Sequence, residues 1–295
     1  MSSLPWTLAL HRVLEDRVGR VLDLAAREGW TDEVEAVHQV RVGTRRLRAL
    51  FPFLDPRAYP ALEGAVRRTR RITRLLGPVR EADIQLARAE SLAPESGVEA
   101  GHAVLEHLLE DLDRLRKKAR RGLGRDIAAT KPGALKNLLE FRGPWAVDPA
   151  CPPPSLGSLL GPGIRRARED AERALKGEDP ETLHQLRIRI KKLRYTLEIL
   201  GPLGPEKPQE WLEGLRKLQV ALGDHHDWTV LEADLWRRHA FLTERGRSRL
   251  AAGFLDLLGA VVERRRSAFE AAQEAGALLD LPSLAAWAGA AEGPP

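Results

Sequence analysis

Apolar residues recur at spacings of three and four along nearly the whole chain, and strict alternation over a strand's length is hard to find. Such a pattern buries helical stripes, so it predicts an all-α protein. Local signals divide it. Thr31 with Asp32 and Val34 opens a helix after Gly29, Asp55-Pro56 and Gly77-Pro78 each end one, and Asp179-Pro180-Glu181 starts another. The resulting partition places helices near 4–28, 31–53, 57–76, 79–90, 98–123 and 131–141, then 157–176, 180–200, 207–221, 226–244, 247–274 and 282–289.

The strongest interruption is GPWAVDPACPPPSLGSLLGPG, Gly143 to Gly163, where proline and glycine crowd together and the helical period lapses. It divides the chain into an N-terminal half, 1–143, a linker, 144–163, and a C-terminal half, 164–295. The halves share landmarks. VHQVRVGTRRLRALFPFL, Val37 to Leu54, is followed 146 residues later by LHQLRIRIKKLRYTLEIL, Leu183 to Leu200. The same offset aligns LLGPVREADIQL from Leu75 with ALGDHHDWTVLE from Ala221. Two landmarks in register over that distance point to internal duplication, one helical bundle repeated.

Placed on a helix at about 100° per residue, His38, Arg41, Arg45 and Arg48 fall within roughly a quarter of the circumference. Val40, Leu47, Leu50, Phe51 and Leu54 form the core stripe beside them. His184, Arg187, Lys191 and Arg194 repeat the row over Leu186, Leu193, Leu197 and Leu200, while Arg46 and Lys192 lie farther round toward solvent or a partner's edge. Cations bordering a core stripe sit at the lip of a groove, stems on apolar neighbours and heads converging. A row without interleaved acids repels itself unless an anion sits against it. Guanidinium forks match phosphate oxygens in pairs, lysine adds a flexible point charge, and histidine adds a proton-dependent donor. A groove so lined suits phosphate.

Charge distribution fits a polyanionic partner better than the net charge of +5 suggests. VRRTRRITRLLGPVR, Val66 to Arg80, and RLRKKARRGLGR, Arg114 to Arg125, contain no acid. The single cysteine, Cys151, excludes an internal disulfide, and His11 and Arg12 interrupt the apolar stretch a signal peptide needs. No apolar run reaches about 18 residues, so no membrane span is expected and a cytoplasmic location is the default.

With these residues in view, the chain resembles the CHAD family, the conserved histidine α-helical domain. The resemblance rests on His38, Arg41, Arg45, Arg46, Leu47 and Arg48, and on His184, Arg187, Lys191, Lys192, Leu193, Arg194 and Tyr195. It extends to Leu76-Gly77-Pro78-Val79-Arg80-Glu81-Ala82-Asp83 and a degenerate second copy, Leu222-Gly223-Asp224-His225-His226-Asp227. The first half has Glu81 where the family usually has Asp. The resemblance implies two pseudo-symmetric bundles of about four helices around a basic central groove or pore that binds inorganic polyphosphate. Some members occur with polyphosphate granules, and many are fused to a triphosphate-processing CYTH domain, of which this sequence has no β-rich sign.

The expected function is therefore non-enzymatic polyphosphate binding, with no cofactor, no metal and no membrane. Further contacts are expected from Arg70, Arg71, Arg74 and Arg80 and, at the 146-residue offset, from Arg216, Lys217, His225 and His226. Two alternatives use the same charges. A nucleic-acid binder would meet its phosphate backbone here, although aromatics are only 5% of residues and no tryptophan lies in the basic rows. A metal-dependent phosphohydrolase would need Glu81, Asp83, Asp224 and Asp227 for Mg²⁺, or His184, His225 and His226 for a transition metal, yet neither a Walker A loop nor H-E-x-x-H is present. Those carboxylates are expected to hold nearby arginines instead. The tryptophans are expected to pack, and Cys151 is assigned no role.

Overall fold

Asp179 shows how local signals become structure: its carboxylate accepts from the Thr182 amide at 2.9 Å, with Pro180 in the first turn, and a helix runs from there to Leu200. The computed structural model describes residues 3–92, 99–130, 132–140, 155–201 and 208–290. All regular structure among them is helical. The order is α1 (Ser3–Ala25), α2 (Val34–Leu50), a 3-10 turn (Phe51–Phe53), α3 (Leu62–Glu90), α4 (Glu99–Ala128) and a 3-10 segment (Pro132–Leu139). It continues with α5 (Leu156–Ala174), α6 (Pro180–Leu200), α7 (Gln209–Glu244), α8 (Ser248–Ala277) and α9 (Leu281–Ala290).

Both stripes expected to be core are core: Val40, Leu47, Leu50, Phe51 and Leu54 on the α2 side, and Leu186, Leu193, Leu197 and Leu200 on α6, are all buried. One apolar cluster joins α1 and the end of α2 to α5, α6, α9 and the first half of α7. A second joins the end of α3 and the start of α4 to the second half of α7 and α8. Both draw on residues from either side of the expected linker. A third, smaller cluster packs the start of α2 between α3 and α4.

Several expected boundaries need correction. α3 runs unbroken through Gly77 and Pro78, and α7 through Gly223, where separate helices were expected. A mid-helix proline removes one amide donor, here the partner of the Arg74 carbonyl. Burial of Ile72, Leu76 and Val79 on either side of Pro78 outweighs that loss. Residues 57–61 are turn, and α2 begins after Glu33 without a side-chain cap, so Thr31 and Asp32 lie in the preceding turn. The end of the expected linker is helix: Ser155 caps α5 by accepting from the Ser158 amide, and buried Leu160 and Ile164 carry the helix through Pro162. Residues 141–154, with Cys151, lie outside the described residues. Trp30 and Trp228 are buried and Trp211 packs on Trp287, but Trp236 is exposed. The Trp6 side chain lies outside what is described.

Gly43 lets α1 and α2 approach closely. A Cβ there would stand 2.5 Å from Cγ2 of Val21, which is itself buried and short. Gly43→Ala is therefore expected to destabilise by about 1–3 kcal/mol despite alanine's higher helix propensity, read as a lower denaturation midpoint in urea. An unchanged or raised midpoint would show that the interface yields.

Candidate anion-binding cleft

α2 and α6 pack against each other with α3 alongside, and a cleft of about 1090 Å³ opens between them. α2 supplies Arg41, Arg45 and Arg48, α3 supplies Arg70 and Arg74, and α6 supplies Lys191 and Lys192. Among the described residues, no carboxylate lines it. Its uncharged walls include Phe51, Pro52 and Phe53 from the turn after α2, with Thr73, Ile188 and Tyr195. The row from the first half and the row from the second thus meet in one space.

Arg41 is fixed from below. Its Nη1 donates to the Thr73 carbonyl at 2.5 Å, and the Thr73 hydroxyl donates to Oγ1 of Thr44 at 3.0 Å, tying α2 to α3. The guanidinium passes within 3.7 Å of the Cβ that Gly77 lacks, and 146 residues later Arg187 stands in the same way at 3.8 Å from Gly223. Mid-helix glycines so placed leave room for arginines to lie across the neighbouring helix.

Crowding shows in the proton affinities. Burial, then Arg45, Arg187, Arg41 and Arg48, push the Lys191 ammonium down to about 7. Burial and neighbouring arginines also depress Arg41, to about 10, and burial depresses Arg45 despite Tyr195 nearby. His38 is lowered by burial and by Arg80, which places both beside Arg41 and Arg45. His226 is pushed down to about 4 by burial, Arg187 and His184. Its Nδ1 lies 3.3 Å from that of His184, close enough for one ring to donate to the other. A basic tract therefore continues from the cleft through Arg80 and Arg187 to the two histidines.

Beyond Arg187 the sign of the charge reverses. Arg88 pairs with Asp224, lies 3.8 Å from Asp227 and stacks over Trp228. Burial raises Asp227 to about 6 against the pull of Arg187 and Arg88, with Glu81 and Asp224 adding to the rise. Asp83 is withdrawn entirely: both its oxygens accept from Arg120 at 2.9 Å, and Arg120 also donates to the Thr31 carbonyl, clamping α4 onto the turn before α2. Arg265 of α8 does the same work by bridging Glu178 and Glu232. The carboxylates Asp83, Asp224 and Asp227 thus face arginines, as expected, whereas Glu81, expected to do the same, accepts from Gln85 at 3.4 Å. No group of three or more His, Cys, Asp or Glu is arranged to hold a metal ion among the described residues.

Six expected contacts are placed elsewhere. Arg46 faces Glu198 at 3.3 Å, and Arg194 pairs with the same carboxylate, donates to Gln219 and stacks on Tyr195. Arg216 pairs with Glu213, and Lys217 belongs to a different surface with Glu210 and Glu213. His225 is 1% exposed, bonded to Glu178 and packed on Phe269, so it reaches no cleft. Arg71 is exposed on α3 but does not line the cleft. Sequence reasoning missed the apolar wall, Phe51 to Phe53, although FPF begins three residues after Arg48, the last cation of the first row. It also missed Tyr195 and Thr73 as lining residues.

A family model described as CHAD domain matches residues 14–236. Two Mycobacterium tuberculosis relatives, the uncharacterized proteins MT2285 (strain CDC 1551) and Rv2226 (strain H37Rv), are each 29% identical over 282 residues. Those matches cover 89% of this chain and 52% of the relatives, so the chain spans about half their length. Among solved structures, PptA from Streptomyces chartreusis superimposes with a TM-score of 0.68 at 19% identity, covering 90% of this chain and 97% of that one. The CHAD domain from the plant Ricinus communis gives 0.64 at 20% identity, covering 93% and 92%. Both share the fold.

Proposed function

The chain belongs to the CHAD family, and from that premise we propose that it binds inorganic polyphosphate, without catalysis, in the cleft between α2, α3 and α6. One observation carries this reading: seven cations from both halves line a single space that no carboxylate among the described residues enters. Such an arrangement destabilises the unliganded protein, and a flexible polyanion relieves it. Arg41 to Arg48 alone extend about 10 Å along α2, more than one orthophosphate can bridge. His38, Arg80, Arg187, His184 and His226 extend the track, and the sign reversal at Asp224 and Asp227 marks its end. The order of elements supports a duplicated bundle, since α1 to α4 and the segment after them are matched in turn by α5 to α8 and α9.

Phosphate chains fit better than nucleic acid here because Phe51 and Tyr195 are buried and present little ring face for base stacking. Calorimetry at fixed salt tests the proposal. Long-chain polyphosphate is expected to bind with an affinity that falls steeply with salt, at a logarithmic slope of roughly −0.7 per phosphate contacted, as for single strands. Orthophosphate should bind weakly at best, and single-stranded RNA should fail to displace polyphosphate at equal phosphate concentration. Equal affinity for orthophosphate and polyphosphate would overturn the multi-contact cleft.

A further inference from the structure

The cleft holds a potential nucleophile as well as anion ligands. Lys191 projects into it from the middle of α6, with Arg41, Arg45 and Arg48 facing it from α2, Arg187 on its own helix and His226 beyond on α7. Arg70 and Arg74 of α3, Lys192 and Tyr195 complete the charged and titratable lining. Among the described residues, no carboxylate pairs with Lys191 to hold its proton. We propose that Lys191 is a site of acylation by small acyl phosphates, whose phosphate the surrounding guanidiniums seat while the amine attacks the adjacent carbonyl. This rests on the phosphate-binding reading of the cleft and assigns a reaction to one residue within it.

The chemistry balances without a further reagent. The Nζ lone pair adds to the acyl carbon, the bond from that carbon to the bridging phosphate oxygen breaks, and orthophosphate leaves with the electron pair. The proton released from nitrogen goes to solvent. Nothing is oxidised or reduced, and the product is an amide at Nζ. Each part of the cleft has a role in that step. Like-charged neighbours and burial keep a fraction of the amine unprotonated near neutral pH, which a nucleophilic lysine requires. Guanidinium forks bind phosphate oxygens in pairs and stabilise the charge that grows on the leaving group. The product has lost a cation at the centre of the track, so acylation would weaken polyphosphate binding, and bound polyphosphate would shield the amine.

Lys192 provides an internal comparison, since it lines the same cleft but is exposed. The test incubates the full chain with acetyl phosphate at pH 7.5, cleaves at acidic residues and follows each lysine by mass spectrometry. Lys191 is expected to be acetylated about tenfold or more faster than Lys192, with a rate that saturates in acetyl phosphate and is suppressed by polyphosphate. The N-hydroxysuccinimide ester of acetate, which carries no phosphate, should show no saturation at Lys191. Arg45→Gln should remove the saturation while leaving a folded protein by circular dichroism. A Lys191 rate equal to or below that of Lys192, or one rising linearly with acetyl phosphate, would overturn the proposal. If calorimetry still shows polyphosphate binding in that case, the acylation alone fails; if polyphosphate does not bind either, the reading of the cleft fails with it.

Discussion

Reversing Arg45 and Lys191 together to glutamate is expected to lower affinity for long-chain polyphosphate by about a thousandfold, some 4 kcal/mol, with the protein still folded. Each position gives up a charge-assisted hydrogen bond worth about 1.5–3 kcal/mol and gains a repulsion. Both side chains stand where the two rows meet, with Arg45 the first charged group acting on Lys191. Folding should survive because the wild-type arrangement is itself repulsive: introducing two acids among Arg41, Arg48 and Arg187 creates ion pairs instead of breaking them. The matching control is Arg216→Glu with Lys217→Glu, which makes the same change in net charge on a surface outside the cleft. That variant should lose far less affinity, since only long-range attraction is altered. Equal losses in the two double variants would mean that net charge, and not this cleft, retains the polymer.

Proton linkage at Lys191 gives the second large effect. In the unfolded chain its ammonium holds its proton to about pH 10, but in the folded protein burial and Arg45, Arg187, Arg41 and Arg48 bring it down to about 7. Between those values the unfolded chain binds more protons, so this residue makes stability rise with pH across the window and makes it lowest below pH 7. Phosphate oxygens beside Nζ favour the charged form and raise the bound value. Polyphosphate should therefore take up close to one proton on binding near pH 8, and affinity should fall by up to about tenfold per pH unit, roughly fiftyfold at most from pH 7 to 9. Calorimetry in two buffers of different ionisation enthalpy measures the uptake. His226, at about 4, and Arg41, at about 10, titrate outside this window in the unliganded protein, whereas Lys191, at about 7, sits at its edge. Lys191→Met is expected to bind weakly, to show a smaller proton uptake, and to unfold at a higher temperature than the wild type at pH 6. Proton uptake undiminished in that variant would assign the linkage to another group.

Much of this site could be read from the sequence because helical spacing alone fixes it. His38, Arg41, Arg45 and Arg48 share a face by arithmetic, and the neighbouring stripe had to be buried, so a groove lip followed. What helical spacing does not show is which cations of the motif are partnered by acids. A local rule separates the two sets: Arg41, Arg45, Arg48, Arg70, Arg74, Lys191 and Lys192 have no acid three or four residues away, and all line the cleft. Arg194 has Glu198, and Arg216 and Lys217 have Glu213, and none of these three lines it. Arg46 and His225 escape this rule because their acids, Glu198 and Glu178, come from other helices or turns, and Arg71 breaks it outright, with no acid at either spacing and an exposed place on α3 outside the cleft. Tertiary packing also explains the misplaced helix ends. Gly77-Pro78 and Gly223 are local breakers, but α3 and α7 are gripped between neighbours along their length, and burial of flanking leucines decides the outcome.

The apolar floor of the cleft belongs with the same lesson. The helical period puts Phe51 in the core stripe, but Phe53 lies past the end of α2, where that period gives no direction, and the 3-10 turn brings both to the wall of the cleft. Their function is electrostatic as much as steric. An apolar base beneath a ring of cations lowers the local dielectric, so each contact to a bound anion is stronger than it would be on open surface.

The most direct measurement is a crystal structure of the protein grown with a short linear polyphosphate. Consecutive phosphates should run between α2 and α6, within hydrogen-bond distance of Arg45 and Lys191 and in line with Arg187. A cleft containing only solvent, with the polymer instead lying on the α4 surface formed by Arg114, Lys117, Lys118 and Arg121, would contradict the account.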